Sequence, residues 1–222
     1  MTAKTTRGYK GLGMEGFIAR WYARNTEGAS RHREVAERVA GSLADGAHVL
    51  EVAPGPGYLA IELAKFGRFQ VAGLDISKTF VQIASDNAAK AGVTVAFHQG
   101  DAAAMPFDAD SFDAIVCMAA FKNFAQPVRA LNEMYRVLKS GGKALIIDLR
   151  PDVSDQAIDA EVKKMRLSWV SSLMTKLTFK HMLRKRAYSR EQLRDMASQT
   201  PFKTCEIRDE SIGFEVSLRK SL

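Results

Sequence analysis

The sequence predicts an α/β fold: a seven-stranded, mostly parallel sheet with helices on both faces, an antiparallel C-terminal strand, and a helical lid inserted before the last helix. Three observations carry this. Short apolar, β-rich runs alternate with helix-period segments up to Leu149, the rhythm of right-handed βαβ units. The stretch Val49 to Lys65, VLEVAPGPGYLAIELAK, runs from an apolar strand through a tight Pro/Gly turn into an amphipathic helix. The tail alternates over Lys203–Arg208 and Ser211–Leu218, as two strands joined by Asp209-Glu210 would.

In chain order, Ser30–Leu43 places Val35, Val39 and Leu43 on one helical face. Strands are expected at Ala47–Ala53, Gln70–Leu74, Thr94–Gln99, Phe112–Met118 and Lys143–Leu149, with helices near Tyr58–Phe66, Ser77–Ala91 and Pro127–Lys139. Val128, Leu131, Tyr135 and Leu138 have helical spacing; Pro127 suits the first turn of that helix, and Gly141-Gly142 is expected to end it. Ser154–Arg186 reads as helical, and Ser189–Gln192 fits a capping box opening a last helix. The economical organisation is one domain: an N-terminal helical segment (1–45), a core (46–150), a lid (151–190) and a C-terminal helix with hairpin (191–222).

Apolar residues make up 46% of the chain, enough for a full core. No apolar run reaches the roughly 18 residues of a membrane span, and the N-terminus has charge but no apolar signal core. Cys117 and Cys205 lie far apart, which argues against a disulfide or zinc framework and for a cytoplasmic setting. None of His32, His48, His98 and His181 has HExxH spacing, so no metal is expected. The net charge of +7 reads as a solvated basic surface, with RNA or an anionic membrane surface as the partners it would admit.

The Pro/Gly turn is a nucleotide site. Gly55 and Gly57 let backbone approach a ligand, and the helix that follows points its free N–H groups into the crevice. Gly55-x-Gly57-x-x-Ala60, with Asp75 ending the second strand, also fits a dinucleotide fold. Glu51 argues otherwise, because a carboxylate repels a pyrophosphate and attracts a cationic amino-acid moiety. Asp101, just past the third strand in HQGDAAAMPF, is placed to accept from an adenine amino group. The antiparallel ending is a third feature that a simple dinucleotide fold does not need.

Together these residues resemble the class I S-adenosylmethionine-dependent methyltransferases, of the type with small-molecule substrates, over roughly Ala47 to Leu149, and MYRVLKSGGKALIIDL resembles that family's helix and fifth strand. The resemblance implies a Rossmann-like fold and S-adenosyl-L-methionine as cofactor. It assigns Glu51, Ala53, Gly55 and Gly57 to the methionine part, Asp75 to the ribose, Ile76, Asp101 and Ala102 to the adenine, and Met118 to the cofactor pocket. One departure is Ala53, where the family usually has a third glycine.

CMAAFKNFAQP, at the end of the fourth strand, lacks the N-P-P-[FYW] motif, which argues against DNA as substrate. It offers Lys122 and Asn123 as candidate catalytic groups, with a solvated lysine and a turn-capping asparagine as the structural readings, and His181 as a candidate proton acceptor. Tyr9, Trp21, Tyr22, Phe121 and Arg150 are candidate substrate-pocket residues. Arg150 is expected to pair either with Asp148 or with a substrate anion. Val162–Arg190 carries nine Lys or Arg and no Asp or Glu, and reads as a basic amphipathic cover able to touch an anionic surface. The expected function is methyl transfer to a small molecule by in-line displacement, in a monomer or homodimer. An RNA methyltransferase, an NAD(P)-dependent oxidoreductase and a non-catalytic nucleotide-binding protein are the alternatives.

Overall fold

A computed structural model describes residues 8–10, 13–26, 30–164 and 169–221. Two N-terminal helices, α1 (Gly16–Thr26) and α2 (Ser30–Ala40), precede the core. There β1 (His48–Val52), β2 (Gln70–Asp75), β3 (Ala96–Gln99), β4 (Phe112–Met118) and β5 (Leu138–Leu149) alternate with α3 (Tyr58–Ala64), α4 (Lys78–Lys90) and α5 (Pro127–Val137). The segment expected from sequence to form a lid follows as α6 (Asp155–Lys164), α7 (Trp169–Thr178), a short π-helix over Phe179–Leu183 and α8 (Arg184–Arg186). Then come α9 (Arg190–Ser198), β6 (Glu206–Asp209) and β7 (Gly213–Arg219).

The seven strands lie in the order β3-β2-β1-β4-β5-β7-β6. Neighbours from β3 to β5 are parallel, and β7 runs antiparallel to both β5 and β6. The order reverses between β1 and β4, so a crevice opens past the C-terminal ends of these strands, where such sheets receive ligands.

Burial on both faces explains the near-continuous apolar strands. One face packs Leu50, Ile115, Cys117 and Ile146 with Met134 of α5 and Met196 of α9. The other packs Val49, Val116 and Ile147 with Val35 of α2 and Leu59 of α3. A third cluster seats the lid, with Leu149 and Ile212 against Ile158 and Val162 of α6.

The helix expected to reach Gly141-Gly142 ends earlier, at Val137, and β5 begins at once. Phe112 pairs with Leu138 while Ala114 pairs with Lys143, so the extra residues are looped out. Gly141 takes φ 77° in that loop, and a Cβ on Gly142 would lie 2.7 Å from the Lys139 carbonyl oxygen. The glycine pair forms a bulge in a strand rather than a helix stop. The capping box forms as the sequence indicates: Ser189 Oγ accepts from Gln192 N–H, and Gln192 Oε1 accepts from Ser189 N–H.

Candidate active site

Glu51, the penultimate residue of β1, is 3% exposed. Its Oε2 accepts from Ala60 N–H in the first turn of α3 at 2.8 Å. Burial pushes its pKa up to about 8, against the lowering effect of that hydrogen bond. A cation placed beside this buried carboxyl would favour its charged form.

The turn after Glu51 is built from left-handed residues: Ala53 at φ 56°, Gly55 at φ 55° and Gly57 at φ 83°. A Cβ on Gly57 would lie 2.8 Å from both Ala84 Cβ and Phe97 Cζ, so this glycine lets α3 and α4 close on the sheet. Gly55 differs, because a Cβ there would meet nothing within 4 Å. It borders open space that a ligand could approach.

Asp75, at the tip of β2, is 6% exposed. Its Oδ2 accepts from Gly55 N–H at 3.0 Å and its Oδ1 from Ser77 N–H at 2.8 Å. It fastens the glycine turn to the start of α4. Burial raises its pKa to about 6. Asp101 Oδ1 accepts from Ala103 N–H at 2.9 Å.

A strap formed by Gly8, Tyr9 and Lys10 crosses this region. Tyr9 pairs antiparallel with Phe124; Lys10 N–H donates to Asn123 O at 2.7 Å, and Ala125 N–H to Gly8 O at 3.1 Å. A Cβ on Gly8 would lie 2.5 Å from Asp101 Oδ2 and 2.7 Å from Ile76 Cδ1. The strap therefore packs directly on two of the three residues assigned to the adenine, Ile76 and Asp101. Farther along, Glu15 accepts from Lys78 N–H and Thr79 N–H at 3.0 and 3.1 Å and from the Thr79 hydroxyl, and Ser77 Oγ donates to Met14 O. The N-terminal segment is thus pinned to the start of α4. Nothing local in the sequence announces Glu15, because its partners lie over sixty residues away.

Tyr22 keeps 36% exposure, yet surrounding protein raises its pKa, with Tyr9, Asp148 and Asp75 all within electrostatic range. Burial also raises the Tyr9 hydroxyl pKa, and Arg186 and Asp75 act on it with opposite sign. Trp21 is 41% exposed on α1, and the His181 side chain lies outside the described residues.

Across the crevice, Lys122 is 3% exposed rather than solvated. Its Nζ donates to Asp148 Oδ1 at 2.7 Å and to Ala119 O at 2.6 Å. Asp148 Oδ2 takes Lys122 N–H, and Oδ1 also takes Leu149 N–H. Asp148 is therefore already engaged, and Arg150 instead grips Asp152 at 2.7 Å and reaches Asp209 at 3.5 Å. Asn123 is 7% exposed and makes no side-chain cap; its Oδ1 is buried without a hydrogen-bond partner. Phe121 is fully enclosed and borders a small cavity with Lys122, Asp148 and Tyr188. Met118 ends β4 with its side chain against the core on the α3 side.

The lid is less free in charge than its sequence suggests. Lys180 reaches Asp159 and Asp155 at 3.2 and 3.4 Å, Arg184 meets Asp155 at 2.7 Å, and Lys176 lies 3.5 Å from Asp159. Acids of α6, just before the basic stretch, neutralise them. Among the described residues no helix is long and apolar enough to cross a membrane, and no His/Cys/Asp/Glu group is arranged to hold a metal ion.

Residues 50–146 match a sequence family described as a methyltransferase domain. Over those residues the chain is similar to class I methyltransferase domains. S-adenosylmethionine is the cofactor of that class, and the donor set fits it: a buried Glu51 and an open Gly55 beside Asp75. Over 107 residues the chain is 36% identical to a demethylmenaquinone methyltransferase of Deinococcus radiodurans, covering 48% of this chain and 44% of that protein. Over 160 residues it is 31% identical to one of Lactiplantibacillus plantarum, covering 70% and 66%. The chain spans about half the length of the first of these curated relatives. In fold it matches a crystal structure of a putative S-adenosyl-L-methionine-dependent methyltransferase from Methanococcus maripaludis, with TM-score 0.74 and 23% identity over 100% of this chain and 98% of that one. A methyltransferase structure from Aquifex aeolicus superposes with TM-score 0.69 and 18% identity over 91% and 98%.

Proposed function

We propose that this protein transfers a methyl group from S-adenosylmethionine to a small, ring-bearing acceptor. The observation that carries the reading is the link from Asp75 to Gly55, which joins a buried carboxylate at one strand tip to an open glycine turn at the next. When bound, the cofactor supplies an electrophilic methyl group on a sulfonium. In this reading Glu51 holds its ammonium group, with Ala53, Gly55 and Gly57 shaping the turn around it. Asp75 takes the ribose hydroxyls; Ile76, Asp101 and Ala102 hold the adenine beside the point where the strap packs on Asp101 and Ile76; Met118 closes the wall.

The acceptor enters between Tyr9 and Tyr22 on one side and Phe121, Lys122 and Asn123 on the other. The work of these residues is to position the acceptor and exclude water. Two of the three Lys122 N–H groups are engaged, and the third is left for an acceptor oxygen. A cation there favours the ionised form of a ring hydroxyl, which is the nucleophilic form. Asp148 anchors Lys122 and does not act as the base, because its oxygens already receive three donors. Relatives named for demethylmenaquinone support a quinone-type acceptor. The pairing of lid cations with Asp155 and Asp159 leaves less free positive charge for RNA.

The test is calorimetry and thermal unfolding with S-adenosylhomocysteine and NADH in parallel, followed by incubation of labelled cofactor with hydroquinones. Stabilisation by S-adenosylhomocysteine alone, with label transferred to a hydroquinone, is the expected result. Stabilisation by NADH alone would return the site to dinucleotide chemistry.

A further inference from the structure

Helix α1 wears its apolar side outward. Its buried residues are the small Ala19 and Ala23, at 0% and 7% exposure; the helix packs on α4, where the Tyr22 and Phe80 ring centroids lie 5.9 Å apart, and the Ala23 carbonyl accepts from the Tyr58 hydroxyl of α3. Phe17 and Trp21 stand on the opposite side of the helix, by the 3.6-residue period. They are 72% and 41% exposed, with Ile18 at 41% beside them. Arg20 and Arg24 flank this stripe and are exposed, and the helix contains no Asp or Glu. The acid just before it, Glu15, is occupied by Lys78 and Thr79 of α4. With Gly16 N–H also donating to Thr79 Oγ1 at 3.1 Å, the helix is fixed with this face turned away from the protein.

A second exposed apolar stripe lies on α7, at Trp169, Leu173 and Leu177, with 80%, 51% and 45% exposure. Its neighbouring cations Lys176 and Lys180 are engaged by Asp159 and Asp155. Charge complementarity favours α1: its arginines have no carboxylate within the helix itself, and the next acid in sequence, Glu27, lies outside the described residues.

We propose that α1 docks on an anionic lipid surface, with Phe17, Ile18 and Trp21 entering the headgroup boundary and Arg20 and Arg24 meeting lipid phosphates. Aromatic and aliphatic bulk flanked by arginines is the composition of helices that lie in that plane. Contiguous exposed apolar residues rimmed by polar ones mark contact sites for a partner or a membrane. The inference stands apart from methyl transfer, since none of the residues tested lines the crevice.

The experiment is co-sedimentation of the full chain with phosphatidylcholine vesicles and with vesicles also containing phosphatidylglycerol. Binding to the anionic vesicles is expected, weakening as salt rises. Arg20→Gln and Arg24→Gln should each reduce it by about fivefold, the effect of one cation at such a surface. Phe17→Ser combined with Ile18→Ser should abolish it while thermal unfolding and S-adenosylhomocysteine binding stay unchanged. Three outcomes overturn the proposal: no vesicle binding by the parent chain, undiminished binding by the Phe17→Ser, Ile18→Ser variant, or a parent dimer that the variant converts to monomer, which would give the face to a second copy.

Discussion

Asp75 and Gly55, twenty residues apart, are joined by a 3.0 Å hydrogen bond from the glycine amide to the aspartate Oδ2. One carboxylate thus shapes the turn and, in the proposed function, binds the ribose as well. Asp75→Ala removes both roles. A hydrogen bond to a charged group is worth about 1.5–3 kcal/mol, so S-adenosylhomocysteine affinity should fall roughly tenfold to over a hundredfold. Calorimetry measures this, and the unfolding temperature should fall too, because the Gly55 and Ser77 amides lose their acceptor.

Glu51 gives a pH dependence. Its folded-state pKa, raised by burial to about 8, exceeds the unfolded carboxyl value, so the folded ligand-free protein binds the extra proton. Its contribution to stability therefore falls as pH rises from about 4.3 towards 8. A cationic ligand that needs the ionised carboxylate should bind more tightly as pH rises through that window, by up to about tenfold from pH 6 to pH 7. Glu51→Gln should flatten both profiles, followed by denaturant unfolding and by calorimetry with S-adenosylmethionine.

Ala53 holds φ 56°, a left-handed conformation that costs a residue with a Cβ about 1–2 kcal/mol. Ala53→Gly relieves it, less the entropy that glycine adds to the unfolded chain. A net gain of about 0.5–1 kcal/mol is expected, or roughly 1–4 °C in unfolding temperature for a chain of this size. Differential scanning calorimetry reads it directly.

Lys122 and Asp148 form a largely buried pair at 2.7 Å. Lys122→Met strands the carboxylate and should destabilise the protein by about 3 kcal/mol. Lys122→Met with Asp148→Asn should recover part of that stability in urea unfolding. Activity should not return with it, if Lys122 orients the acceptor oxygen.

The core was legible because its signals are local. Strand β4 was readable at Phe112–Met118, and the Ser189 capping box likewise, from a handful of adjacent residues. The glycine pair after α5 misled, since Gly141-Gly142 reads alike as a helix stop or a strand bulge; the partner strand, through the offset pairings of Phe112 and Ala114, decides between them. Arg150 and Lys122 exchanged expectations for the same reason. Which cation reaches Asp148 depends on the turn after β4, a tertiary fact. Tyr9 stands out in the sequence as an aromatic, but its pairing with Phe124 and the role of Glu15 do not, because their partners lie on distant elements. The charge balance of Val162–Arg190 is not legible within that stretch, because the acids that offset its cations, Asp155 and Asp159, lie just ahead of it.

The sheet stops at both sides on four-residue strands, β3 and β6. Each outermost ladder is thus too brief to template a long intruding strand, and β6 adds Glu206, Arg208 and Asp209 along its length. Short, charged borders discourage edge-to-edge polymerisation. This fold should therefore resist fibrillar aggregation at concentrations where an equally apolar sheet with long bare margins would assemble.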